Sequence, residues 1–316
     1  MSLTILANDG LATSGIDALT AGGHTVITTK VAQSQLIDYI NQHKVDAILV
    51  RSATTVRQDM IDACPSLKMV GRGGVGMDNI DVDYAKSKGL KVFNTPAASS
   101  DSVAELVFAH LFGMVRHLHD ANRNMPLDGD SQFGQLKKTY AKGSELSGKT
   151  IGIIGFGRIG KAVARRAYGV GMRVIVHDPH LLDGGLEVAF ADGQILKTSA
   201  SMLSMNEVLR AADVVTLHIG GNSELIDAKA LATMKEGAFL INAARGGVVN
   251  EPALIDALKS QHIKAAGLDV FVDEPKPSVQ ILMNPHVSLT PHIGAATVEA
   301  QARIGLELAE QIMAKS

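Results

Sequence analysis

Three segments in the second half of the chain carry the residues best suited to chemistry: INAARGG with Arg245, GLDVFVDEP with Glu274 and LTPHIGAAT with His292. A guanidinium can hold a carboxylate through two parallel hydrogen bonds and polarise an adjacent ketone. An imidazole titrates near neutral pH and can donate a proton to a developing alkoxide, and a paired carboxylate would orient the ring and favour its protonated form. Together these groups could serve hydride transfer to a 2-keto acid.

Each of the three residues also has an ordinary structural interpretation. Arg245 could cap a helix, Glu274 could be a loop charge, and His292 could be a hydrogen-bonded core histidine. All three, however, stand just beyond strand-like runs, and the carboxyl ends of parallel strands meet at one edge of a sheet. That coincidence favours a shared site.

A glycine motif, GFGRIG, predicts the site of the hydride carrier, because it follows an apolar strand-like run and precedes a helical pattern. Its first glycine permits a tight turn, its second lets backbone amides approach a pyrophosphate, and its third allows close packing of helix against strand. The helix N-terminus would then stabilise the phosphate charge. The motif predicts these cofactor-binding residues: Gly155, Gly157, Arg158, Ile159 and Gly160.

Asp178 ends the next strand-like run, roughly 20 residues after the first glycine, where an acidic residue can accept hydrogen bonds from both ribose hydroxyls. A carboxylate there would repel a 2′-phosphate, so NAD is favoured over NADP as the cofactor. The alternative is an ordinary turn acid beside Pro179.

The elements that must position these residues alternate between short β-rich runs and helical patterns, which predicts right-handed βαβ units and parallel sheets. Ser102 and Glu105 have the form of a capping box, so a long helix is expected to begin there. Thr297 is the expected N-cap of the last helix. The polar segment 122–146 is expected to be a crossing segment or a partner-binding arm. The pattern indicates a dinucleotide domain inserted into a first domain that the terminal helix revisits.

Composition limits the partners and the compartment. The net charge of -2 gives no electrostatic reason to expect nucleic acid or an anionic membrane as partner. The single cysteine, Cys64, has no companion for a disulfide or a cysteine metal cluster, and no metal site is expected. The start of the chain lacks a basic region and a signal-length apolar stretch, so cytoplasmic location is expected.

Six segments make the chain similar to the D-isomer-specific 2-hydroxyacid dehydrogenase family, and within it to the short phosphoglycerate dehydrogenases. They are GRGGVGMDNID from Gly71, NTPAASSDSVAEL from Asn94, GKTIGIIGFGRIG from Gly148, NAARGGVVNEPAL from Asn242, GLDVFVDEP from Gly267 and TPHIGAAT from Thr290. The resemblance spans nearly the whole chain. It implies an α/β fold in which residues 1–98 and 290–316 form a flavodoxin-like substrate-binding domain and residues 99–289 an NAD-binding Rossmann domain.

The resemblance also implies roles for particular residues. Arg245 would bind and polarise the substrate, Glu274 would be the partner acid, and His292 would be the general acid/base. The remaining implied contacts are with the nicotinamide carboxamide, from Asp269 and the backbone of Ala243, and with the substrate carboxylate, from the backbone at Gly74 and Val75.

Substrate preference depends mainly on VRSATTV, where Arg51 and Ser52 match positions that help to hold phosphate in phosphoglycerate dehydrogenases. An arginine at a strand end supplies the charge-assisted donors that a phosphate needs, although Arg51 could also be a surface residue. The expected reaction is 3-phosphoglycerate to 3-phosphohydroxypyruvate, in serine biosynthesis. The alternatives are a glyoxylate or hydroxypyruvate reductase, a D-lactate dehydrogenase, or an NADH-responsive binding protein or co-regulator.

Three features depart from the family pattern. The chain has no Trp, and the arm that often supplies one to a neighbouring subunit carries Leu136, beside Lys137 and Lys138. One of these lysines is expected to contribute to substrate-phosphate binding across a homodimer interface, unless both are simply solvated. The chain ends after the terminal helix, so a regulatory domain is not expected. Gly220 stands where relatives commonly have Pro.

Overall fold

The structure is a computed structural model that describes residues 2–315. It divides into two compact units, one made of residues up to Ser102 and from Ala295 onward, the other of Val103–Gly294. The predicted boundaries lie a few residues away from these limits. Every helix among the described residues is too short or too polar to cross a lipid bilayer.

The first unit contains a five-stranded parallel sheet with the strand order β2-β1-β3-β4-β5. Alternate residues of its central strands enter two separate apolar cores, so both faces of the sheet are covered. Helix α13 returns to this unit and buries Ile304, Leu308 and Ile312 in one of the cores. The elements are β1 (Thr4–Ala7), α1 (Thr13–Ala21), β2 (Thr25–Ile27), α2 (Leu36–His43), β3 (Ala47–Val50), α3 (Gln58–Ala63), β4 (Met69–Arg72), α4 (Val82–Ser87), β5 (Lys91–Asn94) and α13 (Val298–Lys315), with a 3-10 turn at Gln33–Gln35.

The second unit contains a seven-stranded parallel sheet with the order β10-β7-β6-β11-β12-β13-β14, and a separate antiparallel hairpin, β8–β9. Its central strands are apolar on both faces, as parallel strands covered by helices should be. The elements are α5 (Ser100–Val115), α6 (Leu118–Asp128), α7 (Phe133–Thr139), β6 (Thr150–Ile154), α8 (Arg158–Gly169), β7 (Arg173–His177), β8 (Gly185–Ala189), β9 (Ile195–Ser199), β10 (Ser201–Met202), α9 (Met205–Ala211), β11 (Val214–Leu217), α10 (Ala228–Thr233), β12 (Ala238–Asn242), α11 (Glu251–Lys259), β13 (Ile263–Leu268), α12 (Val279–Leu282) and β14 (Val287–Leu289), with a 3-10 turn at Gly246–Val248.

These strand orders confirm the predicted α/β class, with a flavodoxin-like sheet in the first unit and a Rossmann-type sheet in the second. The predicted N-cap of the last helix is also confirmed, because the Thr297 hydroxyl accepts a hydrogen bond from the amide of Ala300. The capping box at Ser102 is wrong: α5 begins at Ser100, and the Glu105 carboxylate pairs with Arg166 at 2.8 Å instead. The polar segment after α5 folds largely into α6 and α7.

Candidate active site

The glycine motif forms the turn between β6 and α8. Gly155 has a φ of 91°, in the region that favours glycine, and a Cβ on it would lie 2.4 Å from the carbonyl oxygen of His218. A Cβ on Gly160 would lie 2.2 Å from the carbonyl oxygen of Gly155, so α8 can approach the turn only because this residue lacks a side chain. By contrast, the space around Gly157, the N-cap of α8, is open. Arg158 is exposed and Ile159 is half-buried. An open helix N-terminus of this kind suits a pyrophosphate.

Asp178 follows β7 and faces the same turn. One carboxylate oxygen accepts a hydrogen bond from the amide of Phe156 at 2.8 Å, and the other accepts from the amide of His180 at 2.9 Å. The negative charge is therefore held beside the glycine turn, at the carboxyl edge of the sheet.

His292 and Glu274 form a hydrogen-bonded pair in the loops that follow β14 and β13. The Nδ1 atom of His292 lies 2.8 Å from Oε2 of Glu274, and Oε1 of Glu274 accepts from the amide of Phe271 at 3.0 Å. Burial raises the pKa of Glu274, but the hydrogen bonds from His292 and Phe271 and the positive charges of His292 and Arg245 outweigh it, so the pKa lies below its ordinary value. The carboxylate is therefore ionised at neutral pH.

Arg245 is presented by a turn after β12 that the buried side chain of Asn242 organises. The Asn242 amide donates to the carbonyl oxygen of Arg245 at 2.8 Å and its oxygen accepts from the amide of Ala244 at 3.1 Å. Arg245 is half-buried, and its charge lowers the pKa of Glu274. Ala243, the predicted nicotinamide contact, is half-buried in the same turn. The sequence analysis did not identify Asn242, whose position at the end of a buried strand was the available signal.

Asp269 is buried, and its carboxylate holds the loop that carries His292. Oδ1 accepts hydrogen bonds from the Thr290 hydroxyl at 2.7 Å and the Ile293 amide at 2.8 Å, while Oδ2 accepts from the Gly294 amide at 2.8 Å. His292 itself has a φ of 55°, a left-handed conformation that costs of order 1–3 kcal/mol for a residue with a side chain. The three bonds on Asp269 offset this cost. Whether Asp269 also contacts a nicotinamide stays a prediction.

Glu251 holds the other loop and was not identified from the sequence. This carboxylate, at the start of α11, is only 7% exposed and accepts from the amide of Val272 at 2.9 Å. A Cβ on Gly246 would lie 1.8 Å from the carbonyl oxygen of Phe271, so the same loop also packs directly on the 3-10 turn after Arg245. In the sequence Glu251 resembles an ordinary first-turn acid beside Pro252, and its long-range partner gives no local signal.

The predicted substrate residues of the first unit lie after β3 and β4. The amide of Arg51 donates to Asp9 at 2.6 Å, and the Arg51 side chain passes over Gly73, where a Cβ would lie 3.6 Å from its Cγ. Ser52 is exposed. Gly74 donates its amide to the carbonyl oxygen of Arg72 at 3.0 Å, and Val75 is 40% exposed.

The remaining predicted residues are on the surface. Lys137 and Lys138 are exposed in the last turn of α7, with Leu136 half-buried beside them, and Gly220 is exposed in the loop after β11. The described residues contain no group of three or more His, Cys, Asp or Glu side chains arranged to hold a metal ion.

The second unit thus joins a dinucleotide-type glycine turn to an arginine, an imidazole and its acidic partner. The turn, Arg245, Glu274 and His292 follow β6, β12, β13 and β14, which are parallel strands of one sheet, so all four lie toward its carboxyl edge. Residues 108–294 match the family model described as D-isomer specific 2-hydroxyacid dehydrogenase, NAD binding domain. The chain belongs to this family, and its second unit is the NAD-binding domain.

Individual relatives agree on the family and differ in substrate. A hydroxypyruvate reductase of Thermotoga maritima is 41% identical over 275 residues, which cover 85% of this chain and 84% of the relative. A D-3-phosphoglycerate dehydrogenase of Bacillus subtilis is 37% identical over 313 residues, covering 98% of this chain but 56% of the relative. The chain therefore spans about half the length of that dehydrogenase. The crystal structure of a glyoxylate reductase from Paecilomyes thermophila has a TM-score of 0.82 and 29% identity, covering 98% of this chain and 94% of that chain.

Two glycine substitutions should separate folding from cofactor binding. Gly160→Ala introduces a methyl group against the Gly155 carbonyl and is expected to destabilise the protein by about 1–3 kcal/mol. Gly157→Ala meets open space, so its thermal midpoint should match that of the wild type while NADH binding weakens, because the methyl group occupies the approach to the pyrophosphate. Thermal unfolding and NADH fluorescence titration measure the two effects. Equal loss of stability in both variants would contradict the packing described for Gly160.

Proposed function

We propose that the protein is an NAD-dependent dehydrogenase that interconverts D-2-hydroxy acids and 2-keto acids, with Arg245, Glu274 and His292 as its catalytic residues. The observation that carries the proposal is the 2.8 Å pair between His292 Nδ1 and Glu274 Oε2, with the charge of Arg245 acting on the same carboxylate. A binding protein needs the nucleotide but has no use for a proton relay. The combination therefore favours an enzyme over an NADH-responsive co-regulator.

In the reduction of a 2-keto acid, the three catalytic residues have different roles. Bound NADH would supply the hydride that reaches the keto carbon. Arg245 binds the substrate carboxylate and polarises the keto group. Because Nδ1 of His292 is engaged by Glu274, Nε2 is the atom that donates a proton to the keto oxygen, and Glu274 stabilises the imidazolium before transfer. In the reverse direction Nε2 accepts the proton of the hydroxyl group.

The open space at Gly157, the exposed residues at the start of α8 and the carboxylate of Asp178 fit NAD. The glycine turn would hold the pyrophosphate with Arg158 and Ile159 beside it, and Asp178 would accept hydrogen bonds from the ribose hydroxyls. Ala243 and Asp269 would contact the nicotinamide carboxamide.

For the substrate we propose 3-phosphoglycerate and 3-phosphohydroxypyruvate, with Arg51 and Ser52 binding the phosphate and the backbone at Gly74 and Val75 binding the carboxylate. The support is the position of the half-buried residue Arg51 at a strand end and the similarity to phosphoglycerate dehydrogenase over almost the whole chain. The alternative, hydroxypyruvate or glyoxylate reduction, is favoured by the similarity to hydroxypyruvate reductase. A D-lactate dehydrogenase would share the same catalytic residues.

Exposed apolar side chains around the arm support a homodimer as the working state. Five of them lie on α5, α6 and α7, and exposed large apolar side chains are a common feature of protein interfaces. They are Phe112, Leu118, Met125, Leu127 and Phe133. One of Lys137 and Lys138 would then contribute to substrate-phosphate binding in the partner. Cytoplasmic location remains part of the proposal.

A substrate panel tests the reaction and the preference together. NADH absorbance is followed with phosphohydroxypyruvate, hydroxypyruvate, glyoxylate and pyruvate, and NAD reduction with 3-phosphoglycerate. The expected result is the highest kcat/KM with the phosphorylated pair. A protein that binds NADH but turns over none of these compounds would exclude the proposed enzyme.

Arg51→Ala should affect only phosphorylated substrates. Phosphohydroxypyruvate and hydroxypyruvate differ in the phosphoryl group alone, so loss of a charged hydrogen-bond donor, worth about 1.5–3 kcal/mol, should raise KM roughly 10- to 100-fold for the first and leave the second unchanged. Arg57→Ala is the matched control, because Arg57 forms an exposed pair with Asp81 in the same unit. An equal rise for both substrates would remove Arg51 from phosphate recognition.

The pair of His292 and Glu274 should control the pH dependence of reduction. His292→Ala should lower kcat about 10²- to 10⁴-fold with NADH binding retained, whereas His286→Ala, at an exposed position, should not. Glu274→Gln replaces the anion beside Nδ1 of His292 with a neutral amide, so the charge that favours the imidazolium is lost. Since reduction requires the protonated ring, the basic limb of the kcat/KM profile should move to lower pH. An unmoved limb would argue against the proposed relay.

Removing the charge of Asp178 should relax cofactor selectivity. Asp178→Ala and Asp178→Asn both remove the repulsion of a 2′-phosphate, and the asparagine variant keeps an acceptor for the Phe156 amide. We expect the kcat/KM ratio of NADH over NADPH to fall roughly 10- to 100-fold in both, on the scale of one charged hydrogen bond. An unchanged ratio in the two variants would count against the role of Asp178.

A further inference from the structure

His110 is a buried histidine in the middle of α5 whose two ring nitrogens both have hydrogen-bond partners. Nδ1 lies 2.8 Å from the Ser288 hydroxyl and Nε2 lies 3.0 Å from the Thr290 hydroxyl. The ring reaches these groups because α5 crosses β13 at a glycine: a Cβ on Gly267 would lie 2.9 Å from the Cβ of His110. None of the roles proposed above uses this histidine.

Ser288, His110, Thr290 and Asp269 are linked by hydrogen bonds, and the position of each hydrogen atom can be assigned starting from Asp269. Asp269 accepts from two backbone amides as well as from Thr290, and a carboxylate only accepts. The Thr290 hydroxyl hydrogen is therefore directed to Asp269, at 2.7 Å. Its oxygen must then accept from His110, which requires a hydrogen on Nε2 of the ring.

The direction of the hydrogen bond at Nδ1 of His110 follows from the charge of the ring. Burial lowers the pKa of His110, the nearby charge of Asp269 opposes this, and the charge of His119 adds to it, so the net shift is downward. The neutral ring carries one hydrogen, already placed on Nε2. Nδ1 therefore accepts from the Ser288 hydroxyl, and the bonds run in one direction from Ser288 through His110 and Thr290 to Asp269.

We propose that His110, held as its Nε2–H tautomer, is a positioning residue that fixes the Thr290 hydroxyl and the Asp269 carboxylate and thereby the turn that carries His292. The Thr290 hydroxyl and the amides of Ile293 and Gly294 bind one carboxylate. A rotation of Thr290 would therefore change the bonding of Asp269 and release the left-handed backbone at His292. The kinetic consequence rests on the proposed function, in which His292 donates the proton.

A double-mutant cycle tests the coupling in the full chain. His110→Leu removes both ring hydrogen bonds at similar volume, and Thr290→Val removes the hydroxyl isosterically. We expect each to lower kcat about 10- to 100-fold, as a misplaced catalytic group does, and the double variant to lose no more than the worse single variant. His110→Gln, which can donate to Thr290 through its amide, should recover part of the loss. Additive losses, or a kcat of His110→Leu within twofold of the wild type, would overturn the proposal.

The control is another histidine of the same unit that binds a backbone group. His262 donates through Nε2 to the carbonyl oxygen of Leu231, 3.1 Å away, so His262→Leu removes a comparable bond. We expect it to change the thermal midpoint about as much as His110→Leu while kcat stays at the wild-type value. A matching fall in kcat would reduce the role of His110 to general stability.

Nitrogen-15 NMR of histidine-labelled protein reads the tautomer without any turnover, with the His110 signals assigned by their absence in His110→Leu. The expected result is a neutral ring with hydrogen on Nε2 from about pH 6 to about pH 8, the range in which an ordinary histidine titrates. An Nδ1–H tautomer or a titration in that range would overturn the proposal. If the wild type reduced no 2-keto acid, the proposed function and the kinetic role of His110 would fail together. The NMR signals would still decide whether the hydrogen bonds run from Ser288 through His110 to Asp269.

Discussion

The arrangement of the candidate active site depends on carboxylates that bind backbone amides. Asp269 holds Ile293 and Gly294, Glu274 holds Phe271, and Glu251 holds Val272. Hydrogen bonds to a charged acceptor are worth about 1.5–3 kcal/mol each, roughly twice the neutral value. Loops after strands would otherwise be mobile, and here they carry His292 and Glu274, which must stay close to each other. These acids thus help to keep His292 and Glu274 within hydrogen-bond distance of each other, and Asp269 and Glu274 also bind the side chains of Thr290 and His292.

The sheet brings these loops together without any long-range recognition between the side chains. All seven strands of the large sheet in the second unit are parallel, so every loop that follows one of them lies toward the same edge. Gly155 follows β6, and Arg245, Glu274 and His292 follow the three strands from β12 to β14. Close packing of α8 at Gly160 and of α5 at Gly267 then determines how near the helices come to that edge.

Local chemistry explains which parts could be predicted from the sequence. The glycine turn, Asp178 and the polar residues after strands lie within motifs whose function depends on spacing. The alternation of short β-rich runs with helical patterns predicted both parallel sheets. The capping box was wrong because Ser102 lies within the first turn of a helix that begins at Ser100, and Glu105 pairs with Arg166. Glu251, Asn242 and His110 were not identified, since their roles depend on partners that only the fold brings near. The β8–β9 hairpin had no clear alternation to reveal it.

The proposed catalytic residues and the proposed phosphate-binding residues lie in different parts of the chain. The proposed hydride and proton machinery lies within Val103–Gly294, which includes the whole match to the NAD-binding family model. Arg51 and Ser52 lie outside that stretch, after β3 of the other unit. If Arg51 binds the phosphate as proposed, a change at Arg51 would alter the preferred acid while the amide-binding carboxylates and the His292 pair stay intact. On that proposal, relatives named for hydroxypyruvate and for phosphoglycerate can both resemble the chain, at 41% and 37% identity.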